Sequence, residues 1–318
     1  MKYRSHKVNT YDLEGMEAEL SMQPSPIMDY VDPVIAKNGE LIAIGYLVDD
    51  YDPLNPLEDC DGMGRIYASL RHSSTQSDMQ NALGLNSDWE RDFDSLEVEG
   101  IAEQKLLDLL QASFQADLVA FVIEKAGEGV GKDKAINLLM QDIKGERWEY
   151  WSHSWLALKF LDTTSWEALQ ETAWEEAMDK GLIGDPYAVS LDVYEHGGQF
   201  WSLSGGGMQC QWDTSRGAGV WVPDEYLREE LDSIKERDGM EAAREKATEF
   251  AGQALEPFNS WLSGDCYGLA VDVYLVESGK LRHVDDSAVY GYIGRKWAEE
   301  ALGGEVEGML SSACRKAA

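Results

Sequence analysis

Acidic side chains outnumber basic ones by more than two to one in this chain. Asp and Glu number 59, Lys and Arg number 27, and the formal net charge is -32 over 318 residues. Because like charges repel, a compact state forms only if the burial of apolar surface outweighs this self-repulsion. The composition supplies such a core, since 44% of the residues are hydrophobic and the chain holds 11 Trp and 14 Tyr. We therefore expect a folded protein, because disordered acidic chains are poor in aromatic residues.

The residue pattern predicts an α+β fold with a boundary near residues 183–186. Residues 1–183 are typical of an acidic, helix-rich domain, and residues 184–318 of a small, mostly antiparallel domain of β-hairpins and helices. A capping box of Thr164 and Glu167 marks one helix start, and Pro223-Asp224-Glu225 marks another. The predicted elements are a strand at 40–48, an acidic loop at 49–64, helices at 102–126, 135–143, 165–180, 225–261 (broken near 238–239) and 296–302, an aromatic core at 148–160, and strands at 187–204, 217–222 and 267–294.

The cysteines and the hydropathy pattern predict a cytoplasmic protein of a host cell. The four cysteines are far apart and form no C-x-x-C pair, so the usual zinc and thioredoxin spacings are absent. The first residues do not resemble a signal peptide, and no apolar stretch approaches the ~18 residues that span a membrane. We expect free and mostly buried thiols, no metal and no cofactor.

Each motif that could carry chemistry lacks at least one required residue. The segment Gly127–Asp133 has Asp133 where a phosphate-binding loop needs Ser or Thr, and Met63 stands where a calcium loop beginning at Asp59 needs an oxygen ligand. Ser204 lacks the glycine that a nucleophile elbow requires two residues before the serine. A thiol site that pairs Cys210 or Cys266 with His196 or His283 stays open as an alternative.

Two groups of carboxylates are the candidate interaction residues. Glu167, Glu171, Glu175 and Asp179 recur every four residues, which places them on one face of the predicted helix. Each step along that face rises about 6 Å, comparable with the separation of neighbouring phosphates on one DNA strand. Asp49, Asp50 and Asp52 form a second group at the end of the predicted strand. An ordinary solvated surface is the alternative interpretation of both groups.

The second half of the chain resembles a protein family carried by phages and conjugative elements. The segments that carry the resemblance are DVYEHGGQFWSLSGGGMQCQWDTSRGAGVWVPDEYLREEL, FNSWLSGDCYGLAVDVY and VYGYIG, which lie within about residues 186–294. In the family's pattern a VYxHxG strand precedes a WD…G…V strand, and a helix then leads to YxxGxxYG. The resemblance implies a phage or mobile-element context and a likeness to antirestriction and other anti-defence proteins, but it supplies no catalytic residues.

These observations lead to one functional hypothesis and two alternatives. We expect a non-enzymatic inhibitor whose carboxylates occupy the basic, nucleic-acid-binding surface of a host defence protein, in the manner of a DNA mimic. Direct binding to nucleic acid or to a membrane is disfavoured by the negative charge. The alternatives are a hydrolase built around Cys210 and His196, and a structural protein of the element that assembles as a homo-oligomer.

Overall fold

The computed structural model describes residues 3–4, 30–31, 33–71, 73–145, 153–277 and 280–317, and it confirms the α+β class. Helices and mostly antiparallel strands are both abundant in these residues. The helices are α1 (Gln76–Ala82), α2 (Leu96–Ser113), α3 (Gln115–Gly127), α4 (Lys132–Lys144), α5 (Trp155–Leu161), α6 (Trp166–Asp179), α7 (Glu225–Asp238), α8 (Met240–Leu262) and α9 (Arg295–Ala317). The strands are β1 (Tyr3–Arg4), β2 (Tyr30–Val31), β3 (Val34–Asn38), β4 (Leu41–Asp49), β5 (Arg65–Ala68), β6 (Val189–Glu195), β7 (Gln199–Leu203), β8 (Thr214–Val222), β9 (Cys266–Glu277) and β10 (Lys280–Ile293).

The first sheet has the order β10-β9-β4-β1-β2, with β3 also paired to β4. Strand β4 pairs antiparallel with β9 from Leu41 opposite Leu275 to Asp49 opposite Tyr267. Helix α9 packs on this sheet so closely that Gly45 of β4 lies against Val306, where a Cβ would be 2.2 Å from Val306 Cγ2. The buried residues Ala43, Leu47, Val271, Val273, Ala298, Leu302 and Val306 form the core between them.

The second sheet has the order β5-β8-β6-β7 and is antiparallel throughout. Helices α7 and α8 cover one face, and Trp221, which is fully buried, lies in the core below them. Helix α1 packs against the other face through Met79 and Ala82. Alanines at every third or fourth position of α8, from Ala243 to Ala254, let the helix approach the sheet closely.

Helices α2 to α6 enclose a third core, which includes Leu106, Leu110, Phe121, Leu139 and Phe160. The indole Nε1 of Trp174 in α6 donates a hydrogen bond to the Gly84 carbonyl beyond α1, at 3.0 Å, and so joins this core to the second sheet. No single helix in the described ranges has both the length and the apolar composition to cross a membrane. The bent pair α2 and α3 meets that test jointly, with 103° between its helices.

Several element predictions are confirmed. Strand β4, the acidic loop after it, the helix α4 and the break between α7 and α8 all lie within a few residues of their predicted positions. The break falls at Gly239, whose φ of 95° favours glycine. Helix α7 begins at the predicted start Pro223-Asp224-Glu225, and its N-cap is Asp224, whose Oδ1 accepts a hydrogen bond from Leu227 N at 3.0 Å.

Other predictions are corrected. The single helix predicted at 102–126 is two helices, because the chain turns at Phe114, whose ring packs against Phe160. The residue that caps α6 is Ser165, rather than Thr164, and its side chain accepts from Ala168 N at 3.1 Å. The last helix runs for 23 residues instead of ending near residue 302.

The structure tests the predicted aromatic core only in part and does not test the predicted domain boundary. Part of the predicted aromatic core, residues 148–152, lies outside the described residues, whereas Phe160 is buried and Trp155 is 40% exposed. The division into residues 1–183 and 184–318 stays a prediction, and each sheet contains strands from both sides of it.

Candidate functional site

The acidic loop after β4 lines an open groove of about 800 Å³. Asp49, Asp50 and Asp52 lie in this groove together with Asp265, which precedes β9. No lysine or arginine is found among the described residues that line it, so its negative charge is not neutralised locally. Tyr51, at the mouth of the groove, is 73% exposed.

Hydrogen bonds fix the course of this loop. Asp50 N donates to the Cys266 carbonyl at 2.9 Å, and Asp50 Oδ2 accepts from Gly291 N at 3.2 Å. The indole Nε1 of Trp261 donates to the Pro53 carbonyl at 3.2 Å. The loop is therefore tied to β9, β10 and α8, and its carboxylates are held in place before any partner arrives.

The predicted carboxylate stripe lies on the exposed face of α6. Glu167, Glu171, Glu175 and Asp179 are all exposed, and the opposite face buries Leu169, Ala173 and Ala177. Asp179 forms an ion pair with Arg244 Nη2 at 2.7 Å, so its charge is partly neutralised. No ion pair or hydrogen bond of the three glutamates with another described side chain is seen. The stripe therefore presents three uncompensated charges and a paired fourth.

The structure does not join the two carboxylate groups. No ion pair, side-chain hydrogen bond or common groove links residues 49–52 to α6 within the described parts of the chain. They belong to different parts of the fold, because the loop adjoins the first sheet and α6 closes the helical core. We therefore treat them as two separate surfaces, the groove and the stripe.

In the structure a third residue, Asp213, lies beside the cysteine and histidine of the alternative thiol site, Cys210 and His196. Asp213 Oδ2 lies 3.5 Å from Cys210 Sγ and 3.4 Å from His196 Nδ1. Both contacts end on the same carboxylate, so in the described residues the imidazole does not contact the thiol directly. A thiol nucleophile needs that contact, because the base must take the thiol proton. His196 is also largely exposed.

The thiols are less buried than predicted. All four cysteines are free, but only Cys266 is buried; Cys60 is exposed, and Cys210 and Cys314 are half-buried. Burial, together with the negative charges of Asp50 and Asp265, raises the pKa of Cys266 to about 11. Cys266 is therefore a structural thiol, protonated at neutral pH.

Sequence reasoning missed the carboxylates that organise the second sheet. Asp192 is 2% exposed, and its two oxygens accept hydrogen bonds from Ser204 Oγ, Gly205 N, Gln209 Nε2 and Gly217 N. Burial alone would raise its pKa, but these donors outweigh burial and hold the pKa at about 2. The only sequence signal was an aspartate within an apolar strand, because burying a carboxylate costs free energy unless it is hydrogen-bonded.

Asp224 has a second function besides capping α7. Its Oδ2 accepts from the backbone N–H groups of Gly62, Met63 and Gly64 at 2.7, 3.1 and 3.0 Å. Burial opposes ionisation, but these hydrogen bonds and the one from Leu227 N dominate and lower the pKa of Asp224. One side chain thus ties the end of the acidic loop to α7.

The candidate site therefore consists of an acidic groove, an acidic helix face and a small Cys-His-Asp cluster. In the described residues no group of three or more His, Cys, Asp or Glu side chains is arranged to hold a metal ion. The chain matches no protein-family model, no curated protein and no solved structure.

Proposed function

We propose that this protein is an acidic inhibitor, encoded by a phage or mobile element, that binds the basic nucleic-acid-binding surface of a host defence protein. The observation that carries the proposal is the set of exposed carboxylates without an ion-pair partner within the described chain. Among them are Glu167, Glu171 and Glu175 on α6, and Asp49 and Asp52 in the groove, where the half-buried Asp50 likewise has no ion pair within the described chain.

The ion pairing of basic side chains elsewhere on the surface supports this proposal. Many of the basic side chains are already paired; for example, Lys144 contacts both Glu99 and Glu103 at 2.6 Å, and Lys159 contacts Asp117 at 2.6 Å. With 59 acidic and 27 basic residues, the carboxylates left over must face solvent or a partner. A partner rich in Lys and Arg would neutralise them and release its own counterions.

The geometry of α6 supports DNA mimicry as the mode of binding. A helix holds its side chains at fixed positions, and the glutamates on this face repeat at about 6 Å. A protein groove that follows a phosphate backbone presents cations at a similar repeat. The exposed Tyr51 adds an aromatic contact beside the acidic groove, and aromatic anchors commonly dominate the affinity of an interface.

The test is capture of a partner from a bacterial lysate followed by competition. We expect the immobilised protein to retain a nuclease or another DNA-binding protein, and duplex DNA to elute it. Raising the salt to about 0.3 M, which shortens the Debye length below about 8 Å, should reduce the recovery. Recovery that neither salt nor DNA affects would rule out charge mimicry.

A matched pair of variants tests the stripe itself. The triple variant Glu167→Gln, Glu171→Gln, Glu175→Gln removes three charges from α6. The control variant Glu241→Gln, Glu300→Gln, Glu307→Gln removes three exposed charges that do not form one stripe. Only the first should weaken binding of the captured protein. If both variants bound the partner equally, and more weakly than the wild-type protein, net charge alone and not the stripe would attract the partner.

A hydrolase is the second candidate, and the meeting of Cys210 and His196 at Asp213 favours it. In such an enzyme Asp213 would orient the imidazole, and a side-chain rotation would bring His196 to the thiol. The test is hydrolysis of chromogenic ester and amide substrates. Activity that Cys210→Ala abolishes without unfolding the protein would favour the hydrolase over the inhibitor, whereas equal rates for both proteins would exclude this site.

A further inference from the structure

A cavity of about 710 Å³ lies beside β5. Arg65 and Arg71 line it together with the hydroxyl-bearing residues Ser73, Ser74 and Thr75. The volume lies within the range of about 300–1,000 Å³ that is typical of small-molecule sites. Its apolar wall comes from Ile66, Leu70 and Phe258.

Neither arginine has a carboxylate partner among the described residues, although acidic residues are abundant. Arg65 donates through Nη1 to the carbonyls of Cys60 and Gly64, at 3.3 and 2.8 Å. Its Nε and Nη2 groups make no hydrogen bond to the described chain, and neither does any group of Arg71. The donors that these two guanidinium groups have left over match the oxygens of a phosphate monoester.

Trp201 belongs to the same apolar wall and is 3% exposed. Its indole Nε1 is buried and has no hydrogen-bond partner among the described residues. The indole is fixed in place, because its ring packs against Gly219 and its backbone is bonded on both sides by the side chain of Asn259.

The hydroxyl-bearing loop is also fixed before a ligand binds. Ser73 Oγ lies 2.8 Å from Thr75 Oγ1, and Thr75 Oγ1 accepts from Ala68 N at 2.9 Å. Ser74, which is exposed, makes no side-chain hydrogen bond to the described residues. Such a loop loses little conformational entropy on binding, because it is already ordered.

The cavity also contains acceptors. Glu58, Glu195 and Gln199 line it, and Glu195 Oε1 accepts from Gln199 Nε2 at 2.9 Å. These carboxylates repel a bare anion but accept hydrogen bonds from the hydroxyl groups of a sugar. Negative charges elsewhere on the protein repel a bound phosphate less, because the Debye length is about 8 Å at physiological ionic strength.

We propose that this cavity binds a small phosphorylated sugar, with its phosphate on Arg65 and Arg71 and its hydroxyl groups on Glu58 and Glu195. The inference does not depend on the proposed inhibitor function, because none of these residues belongs to the groove or the stripe.

Isothermal titration calorimetry with ribose 5-phosphate, AMP, ribose and inorganic phosphate tests the proposal. We expect ribose 5-phosphate or AMP to bind, ribose not to bind, and inorganic phosphate to bind at least tenfold more weakly than the sugar phosphates. Binding of AMP alone would identify a nucleotide rather than a simple sugar phosphate as the ligand. No heat with either sugar phosphate at about 10 mM ligand, or equal affinity for inorganic phosphate, would overturn the proposal.

Two variants locate the binding. Arg71→Gln should weaken the affinity at least tenfold, because it removes a charge-assisted contact, and Arg71 is exposed, so the fold should persist. Arg216→Gln, on the exposed part of β8 outside the cavity, changes the net charge equally and should leave the affinity unchanged. Equal losses in the two variants would overturn the assignment, because they would indicate attraction to net charge.

Discussion

Replacing Asp192 with Asn should destabilise the protein by about 2 kcal/mol at neutral pH, although the two side chains have nearly the same shape. The pKa of Asp192 is about 2, against an ordinary value of 3.8. At about 1.4 kcal/mol per pH unit, this difference corresponds to roughly 2 kcal/mol of native-state stability above pH 4. Asp192 itself is 2% exposed, but the residues that donate to it are exposed, so solvent screening makes this figure an upper bound.

The hydrogen-bond geometry gives the physical reason. Asp192 Oδ1 accepts from Ser204 Oγ at 2.8 Å and from Gly217 N at 2.9 Å, and Oδ2 accepts from Gly205 N at 2.9 Å and from Gln209 Nε2 at 3.1 Å. An asparagine replaces one oxygen by an NH₂ group, which must then face two of these donors. The Ser204 hydroxyl can rotate to accept, but a backbone N–H cannot. In either orientation of the amide, at least one backbone N–H, of Gly205 or of Gly217, loses its acceptor.

The assay is equilibrium unfolding by urea from pH 7 downwards. A carboxylate with a lowered pKa stabilises the native state above its unfolded pKa, near 4, and that stability is lost as the pH falls through about 2. The difference between the wild-type protein and Asp192→Asn should therefore be full at pH 7 and should shrink between pH 4 and pH 2. Asp61→Asn, at an exposed position, is the control. A loss below about 0.5 kcal/mol at pH 7, or a difference that grows on acidification, would refute the reasoning.

Two further outcomes follow from close packing. Gly45→Ala should lower the free energy of unfolding by about 1–3 kcal/mol, because the new Cβ would be 2.2 Å from Val306 Cγ2. Gly100→Ala, at a position of α2 with open space around it, should instead raise the free energy of unfolding by about 0.5–1 kcal/mol. Urea unfolding that gave the same sign for both variants would contradict the packing of α9 on β4. A thiol reagent such as iodoacetamide should modify the exposed Cys60 quickly and Cys266 only after unfolding, because burial raises the pKa of Cys266 to about 11. Mass spectrometry that found Cys266 modified in the native protein would contradict its burial.

The features predicted correctly depend on neighbouring residues. The start of α7 at Pro223-Asp224-Glu225, the break at Gly239 and strand β4 are each determined within a few positions of the chain, through helix-start residues, turn chemistry or a run of β-forming residues. The end of α9 was missed because Gly303, Gly304 and Gly308 have low helix propensity. Burial of Val306 and Leu310 against the first sheet overrides that propensity.

The features that were not predicted depend on residues far apart in sequence. The pairing of β4 with β9 joins residues separated by more than 200 positions, and no local pattern specifies it. The same pairing brings Asp265 to the acidic loop, so the groove could not be inferred although its three loop aspartates were identified. The function of Asp192 likewise requires the loop after β7 and Gly217 of β8 to converge on one side chain.

The carboxylates of this protein thus fall into two classes, and the difference decides how the stripe experiment is interpreted. Asp192 and Asp224 accept several hydrogen bonds from the chain, so neutralising either one should lower the stability of the fold. Glu167, Glu171 and Glu175 are exposed and make two like-charge contacts at i,i+4, each of which costs about 0.2–0.5 kcal/mol. The triple glutamine variant should therefore be as stable as the wild-type protein, or slightly more stable. If that variant is stable and loses its partner, the stripe is kept at a small cost in stability because it binds. If it loses stability instead, the three glutamates have a structural function, and the loss of binding would say nothing about mimicry.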